Sequence, residues 1–374
     1  MMPRPESTEL LEHKCVAPLS LAPLACVRLV IQARVVGGLR LGAFAGATLR
    51  GGFGHALKQL ACTWPVGDCP RCSHRLACLY AQVFETSLPQ ASERLRGLDQ
   101  IARPYVFDPW GERDDPAASP AEWSVLDPVE STRSWQWPRY QHGEAFSFSL
   151  VLVGRVVSAA RELVTALAAL GRSGLGAGGR FVIERVVCRK PGDAWQQGGV
   201  PQAGGPGDEH VVYSRDAAQW RQPQTTVPRR WAPRSWDGAR RVVVHFCTPT
   251  RVCSEGQLRL TLSFHELVRA LLRRLSSLAY FHCGGPLELD FEGLASRARA
   301  VQTVWHNLRW YRQSRYSGRQ RQRVAMGGLM GSVCYEAQSA EELAPFLELL
   351  GAGMWLHVGK GAVMGLGAYV AEVA

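Results

Sequence analysis

Along this chain the spacing of apolar residues switches between a period of two and a period near 3.6, and the order of the switches outlines two similar units. Residues 25–33 carry β-branched side chains in partial alternation and read as a strand. The second half of 41–60 has helical spacing, which places His55 and Lys58 three residues apart on one face. Phe146-Ser147-Phe148-Ser149 alternates and then runs apolar through Val153, the pattern of a strand entering a core. An amphipathic helix follows on Leu163, Ala166, Leu167 and Leu170, then Gly174-Leu175-Gly176, then a strand over 180–187.

The second unit opens with a strand at 241–246. A helix begins at the capping box Ser263-Phe264-His265-Glu266 and buries Phe264, Leu267, Val268, Leu271, Leu272, Leu275 and Leu278. Residues 291–308 read as a second helical stretch, and 324–336 as a strand. A further capping box, Ser339-x-x-Glu342, starts a helix on Leu343, Phe346, Leu347 and Leu350. Gly365-Leu366-Gly367 and a strand over 368–373 end the unit.

Helix, Gly-Leu-Gly and strand thus occur twice, roughly one domain length apart, which implies two related domains in tandem. The boundaries are a lead-in at 1–24, a first domain at 25–189, a Gly- and Pro-rich linker at 190–239 and a second domain at 240–374. Residues 108–128 form a loop rich in Pro, Asp and Ser. Gly174-x-Gly176-x-x-Gly179 matches a dinucleotide fingerprint by spacing alone. It follows a helix and precedes a strand, the reverse of what that site needs.

Composition narrows the partners. The 374 residues are 46% hydrophobic, enough for two cores, and the net charge is +11. Such a basic surplus points to nucleic acid or an anionic membrane surface. No apolar run reaches spanning length and the start lacks a signal-peptide order, so a cytoplasmic location with no membrane partner is expected. In that compartment the eleven cysteines are not expected to form disulfides.

Three stretches carry chemistry. The tail His357-Val358-Gly359-Lys360-Gly361, continuing to Gly365 and Gly367, combines flexible backbone with one cation. Exposed N–H groups in such a loop make a concavity for phosphate. It is not the phosphate loop of nucleotide hydrolases, because Met354 stands where the first glycine belongs, and no nucleotide cofactor is expected. Cys62, Cys69, Cys72 and Cys78 are spaced C-x6-C-x2-C-x5-C, which suits a structural zinc or a 4Fe-4S cluster. Residues 308–323 hold Arg309, Arg312, Arg315, Arg319, Arg321 and Arg323 between aromatics without one acidic residue. Guanidinium groups and rings in that mixture pair phosphates and stack bases. In the linker, Arg229, Arg230 and Arg234 beside Trp231 and Trp236 read either as a second such surface or as tryptophans tucked against a domain.

Leu308-Arg309-Trp310, Arg315-Tyr316-Ser317-Gly318-Arg319-Gln320, Gly327-Gly328-Leu329-Met330-Gly331, His357-Val358-Gly359-Lys360 and Gly365-Leu366-Gly367 resemble the CRISPR repeat-processing endoribonucleases, the Cas-six branch of the RAMP superfamily. Residues 49–57, the four-cysteine loop and Tyr80-Ala81-Gln82-Val83-Phe84-Glu85 look like one subgroup of it. The resemblance spans roughly 25–373. It implies an α+β fold of two tandem ferredoxin-like (RRM-like) βαββαβ domains, with the Cys-rich metal-binding insertion in the first. It also implies CRISPR repeat RNA as ligand, other CRISPR effector subunits as further partners, and one cut per repeat. That cut, by 2′-hydroxyl attack, needs no catalytic metal, so a metal at the cysteines would be structural. The position matching the family's histidine is His55, with Lys58 one turn on to stabilise charge; Lys360 falls to phosphate binding and His357 to structure. A non-cleaving RNA-binding subunit of the same fold is the competing reading, and an iron–sulfur enzyme of the DNA-glycosylase type a more distant one.

Overall fold

The structure, a computed structural model, describes residues 19–41, 45–63, 69–86, 101–109, 139–176, 178–191, 210–312, 314–317 and 322–373. The loop expected at 108–128 lies almost wholly outside the described residues. Among the described residues no helix is long and apolar enough to cross a membrane.

The first half runs β1 (Cys26–Val36), α1 (Ala45–Ala61), α2 (Leu79–Phe84), β2 (Tyr105–Asp108), β3 (Ala145–Val153), α3 (Ala160–Ser173) and β4 (Arg180–Arg189). Its sheet has the order β2-β3-β1-β4, wholly antiparallel, and β4 is extended by β5 (His210–Ser214) and β6 (Gln219–Trp220). Those last two strands lie in the stretch expected to be linker, so the first domain's sheet runs past residue 189. The valines of His210-Val211-Val212-Tyr213 are enough for an edge strand even inside a polar, glycine-rich context.

The second half repeats the scheme with β7 (Arg241–Thr250), α4 (Phe264–His282), α5 (Phe291–Arg297), β8 (Gln302–His306), β9 (Arg309–Tyr311), β10 (Ser314–Ser317), β11 (Gln322–Ala325), β12 (Gly328–Glu336), α6 (Ala340–Leu356) and β13 (Tyr369–Val373). Its sheet order is β8-β12-β7-β13, with β9 also on β12. Counting the principal strands of each half, both sheets read second, third, first, fourth. The helical stretch expected over 291–308 is corrected: only Phe291–Arg297 is helix, and Gln302-Thr303-Val304-Trp305 pairs with β12. Its β-branched and aromatic side chains favour the pleated surface over a helix.

Capping holds the second-half helices where the pattern placed them. Ser263 and Glu266 satisfy each other's backbone N–H groups. Ser339 accepts from the Glu342 N–H, while Glu342 reaches back to the Gln338 N–H instead of closing the box. Each half buries its own core between sheet and helices. The second core continues into the seam, because Cys26, Val106, Val151 and Val153 of the first sheet join it, with Leu21 and Leu24.

The 221–240 strap is tied to the second half by a buried carboxylate. Glu348 in α6 accepts from the N–H groups of Trp231 and Ala232 and from Arg230, whose guanidinium also clasps Asp237. Trp231 and Trp236 are buried. Of the two readings of that segment, the tucked tryptophans are what the structure holds.

Candidate nucleic-acid interface

Helix α1 exposes Gly51, His55 and Gln59, a stripe at four-residue spacing, while Leu49, Phe53, Ala56 and Leu57 face the core. His55 is therefore open to solvent. Its Nε2 lies 3.0 Å from the Gln59 side-chain nitrogen, which as placed donates to the ring and leaves the ring proton on Nδ1. Lys58 is half-buried and leans toward α2, its Nζ 5.5 Å from the Tyr80 ring centroid.

The tail glycines are tied down more than the sequence suggests. The loop after α6 donates its N–H groups inward: Val358 to Gly367, Lys360 to Arg251, Met364 to Gly361, Gly365 to Ala362 and Gly367 to Pro249. Gly365 and Gly367 are buried with φ of 81° and 69°. A Cβ on Gly367 would overlap the Val358 carbonyl oxygen, and one on Gly365 would sit 2.8 Å from the Phe107 carbonyl oxygen. The expected phosphate concavity is thus corrected at these two positions: their N–H groups are spent on the fold, and they are glycine because of close approach and positive φ. Gly359 and Gly361 are half-buried, also at positive φ, and flank Lys360, which is exposed.

His357 is the residue at which α6 stops. It caps α6 with φ of 60° and is buried against Asp108, Arg28 and Arg274. Burial drives its pKa down to about 4, reinforced by Arg28 and Arg274, with Asp108 and a Leu366 backbone contact opposing.

The arginine-rich segment is a β-hairpin. β10 pairs with β11 beyond the point where β9 leaves β12. Arg309, Arg312 and Arg323 are exposed. Arg315 lies in β10; Arg319 and Arg321 lie outside the described residues.

One residue the sequence did not single out joins these parts. The carbonyl of Arg251 accepts the Lys360 N–H at 2.9 Å, and its Nη1 donates to the Ala325 carbonyl at 2.6 Å, in β11 of the hairpin. On the other side the loop segment 362–364 packs on β2 and α1, where Gly46 leaves no room for a Cβ against the Met364 carbonyl. Helix α1, the glycine loop and the arginine hairpin are therefore contiguous. A lone arginine at a strand end has no periodic signature, so only the tertiary structure reveals it.

The cysteine cage is not assembled. Cys62 follows α1 directly, and Cys69, Cys72 and Cys78 flank a short turn further on; all four are half-buried and none is in a disulfide. Among the described residues no three His, Cys, Asp or Glu side chains stand close enough to share an ion. The thiol chemistry and spacing suit zinc or iron–sulfur.

Comparison with known proteins agrees with the architecture. A family model described as CRISPR-associated endoribonuclease Cas6 matches residues 244–369, and one described as an N-terminal domain matches residues 22–212. No curated protein matches the chain. Among solved structures, a Cas6 product complex from Thermus thermophilus aligns at TM-score 0.50 and 14% identity, covering 93% of this chain and 100% of its own. A second Cas6 product complex aligns at TM-score 0.47 and 16% identity over 93% of this chain and 99% of its own. A partial Cas6-RT-Cas1–Cas2 complex aligns at TM-score 0.48 and 11% identity, over 96% of this chain and 47% of its own. The second-half match covers the strand, hairpin and glycine loop that the interface is built from, and residues 244–369 are similar to the CRISPR-associated endoribonuclease Cas6.

Proposed function

We propose that the protein binds CRISPR repeat RNA and cuts each repeat once, by attack of a ribose 2′-hydroxyl on the adjacent phosphate. The attacking hydroxyl gives up its proton, the bond to the 5′ oxygen breaks, and that oxygen takes a proton. The products are a 2′,3′-cyclic phosphate and a 5′-hydroxyl, and no metal enters the step. Each half is read here as a ferredoxin-like unit, and the pair as the platform that holds the transcript.

The observation that carries this reading is the contiguity of three parts, two of them joined through Arg251 and the third by the packing of loop residues 362–364 on α1. They are a helix with an exposed histidine, a loop tip with an exposed lysine and an arginine-rich segment in which Arg309, Arg312 and Arg323 are exposed. Arginines on the hairpin and Lys360 on the loop grip the backbone, with Gly359 and Gly361 keeping the lysine clear of side chains. His55 transfers the proton and Lys58 offsets the charge developing on the phosphate. Other CRISPR effector subunits are read here as further partners. For Cys62, Cys69, Cys72 and Cys78, the spacing supports a structural zinc or iron–sulfur site, which elemental analysis and visible absorbance of purified protein would decide.

Labelled repeat RNA incubated with the protein in EDTA tests the function. One cut per repeat with a cyclic-phosphate end is expected; binding without a cut would replace this reading with that of a non-cleaving subunit.

A further inference from the structure

The edge strand β8 has a face that the proposed reaction leaves unused. All five of its residues, Gln302 to His306, are exposed. Trp305 is 46% exposed, the one aromatic among the exposed large hydrophobic side chains of the described residues. The other described tryptophans, Trp220, Trp231, Trp236, Trp310 and Trp355, are all at least partly covered.

The strand places Trp305 in a row. A register shift between Thr303 and Trp305 sets Trp305 opposite Cys334, and the register then holds through Arg309 opposite Met330 and Tyr311 opposite Gly328. Residues two apart share a face, so Trp305, Arg309 and Tyr311 lie along one side of the strand. The intervening Leu308 and Trp310 pack on the core, as do Leu329, Val333 and Tyr335 of β12. The row is thus on the side of the sheet away from α4 and α6. Two residues of strand advance about 6.7 Å, so ring and guanidinium are set out at intervals along the direction that leads into the arginine hairpin.

Charge selects the occupant. Residues 293–335 contain eight arginines and no acidic residue, and a half-open indole beside such a field suits an unpaired base more than an apolar protein face. We propose that Trp305 is a stacking platform for an unpaired nucleotide of bound RNA, with Arg309 on the neighbouring phosphate, so that single-stranded RNA enters the hairpin across this edge. This rests on the reading of the protein as a repeat-RNA binder and adds to it the part of the transcript that must be unpaired.

The test compares wild type, Trp305→Ala and Trp305→Phe for binding to labelled repeat RNA, offered either with unpaired segments or fully paired to a complementary strand. Trp305→Ala is expected to weaken binding of the unpaired form by about 5- to 100-fold. Trp305→Phe should recover most of that, and the paired form should not register the change. Equal affinity of Trp305→Ala and wild type for the unpaired form overturns the inference. So does equal loss on the paired form, or a loss seen only in binding to another protein. Should Trp305→Ala fail to fold, photocrosslinking of thiouridine-substituted RNA to wild type decides: a crosslink on the peptide carrying Trp305 supports the platform, and its absence with crosslinks elsewhere overturns it. If wild type itself does not bind repeat RNA, the functional reading fails along with this one.

Discussion

At the scale of single residues, two histidines named by the sequence have opposite fates, and burial separates them. His55 stands on an open stripe of α1, where a substrate hydroxyl can approach; His357 is enclosed and held neutral. His55→Ala is expected to slow cutting by about 100-fold or more while RNA affinity stays within about twofold. Single-turnover cleavage and filter binding on the same preparation check this, and undiminished cutting would remove His55 from the mechanism. The helical spacing gave His55 a face but not which side of the helix was buried. The glycines of Gly51-Gly52-Phe53-Gly54 supply almost no amphipathic signal, so exposure had to come from the packing of Leu49, Phe53 and Leu57. Gly367→Ala addresses the same loop from the structural side. Its Cβ would meet the Val358 carbonyl at a φ of 69°, so a loss of about 2–3 kcal/mol in denaturant unfolding is expected. A neutral outcome would mean the belt of inward N–H groups is not what holds the loop.

At the scale of elements, the repeated helix, Gly-Leu-Gly and strand was legible because it depends on local chemistry. In both copies the two glycines have positive φ, the central leucine is buried and the following strand pairs with the first strand of its own half. The capped start of α4 was legible for the same reason. What escaped depends on long-range pairing. β8 resembled helix until β12 was beside it, and the strap residues Trp231 and Trp236 resembled an RNA surface until both were seen to be buried, with Glu348 accepting from the Trp231 and Ala232 N–H groups. The arginine segment was legible as chemistry, yet its hairpin form was not, since alternating arginine and glutamine has no apolar face to betray a period. Each phosphate contact in single-stranded RNA adds about 0.7 to the slope of log affinity against log salt. Arg312→Ala and Arg323→Ala, one just before the hairpin and one in its second strand, are each expected to lower that slope by about this amount. Affinity measured from low to moderate salt checks it, and an unchanged slope takes the arginine off the phosphate.

For the whole molecule, the seam between the halves is where pH enters, because it buries imidazoles whose neighbours are mostly apolar or cationic. His282, at the end of α4, donates its Nε2 proton to the Ala102 carbonyl across the seam at 2.7 Å. Burial lowers its pKa to about 4, with Arg155 adding to the effect and the Ala102 bond opposing it. His357 lies in the same seam beside Arg28, Arg274 and Asp108, also lowered to about 4. Both begin from an unfolded value near 6.5. Above 6.5 neither state binds the extra proton and stability is flat. As pH falls from 6.5 toward 4 the unfolded chain binds protons that the folded chain excludes, so stability declines, then levels once both states are charged. Each histidine is expected to cost about 2 kcal/mol by pH 5, a window in which most carboxylates remain ionised. Urea unfolding at pH 7.5, 6 and 5 is compared for wild type and the double variant His282→Gln with His357→Asn. The asparagine tolerates the positive φ at 357, so the variant should start close to wild type and show a much flatter profile. If the two profiles run parallel, the pH response arises elsewhere and the seam is not the part of the molecule that acid opens first.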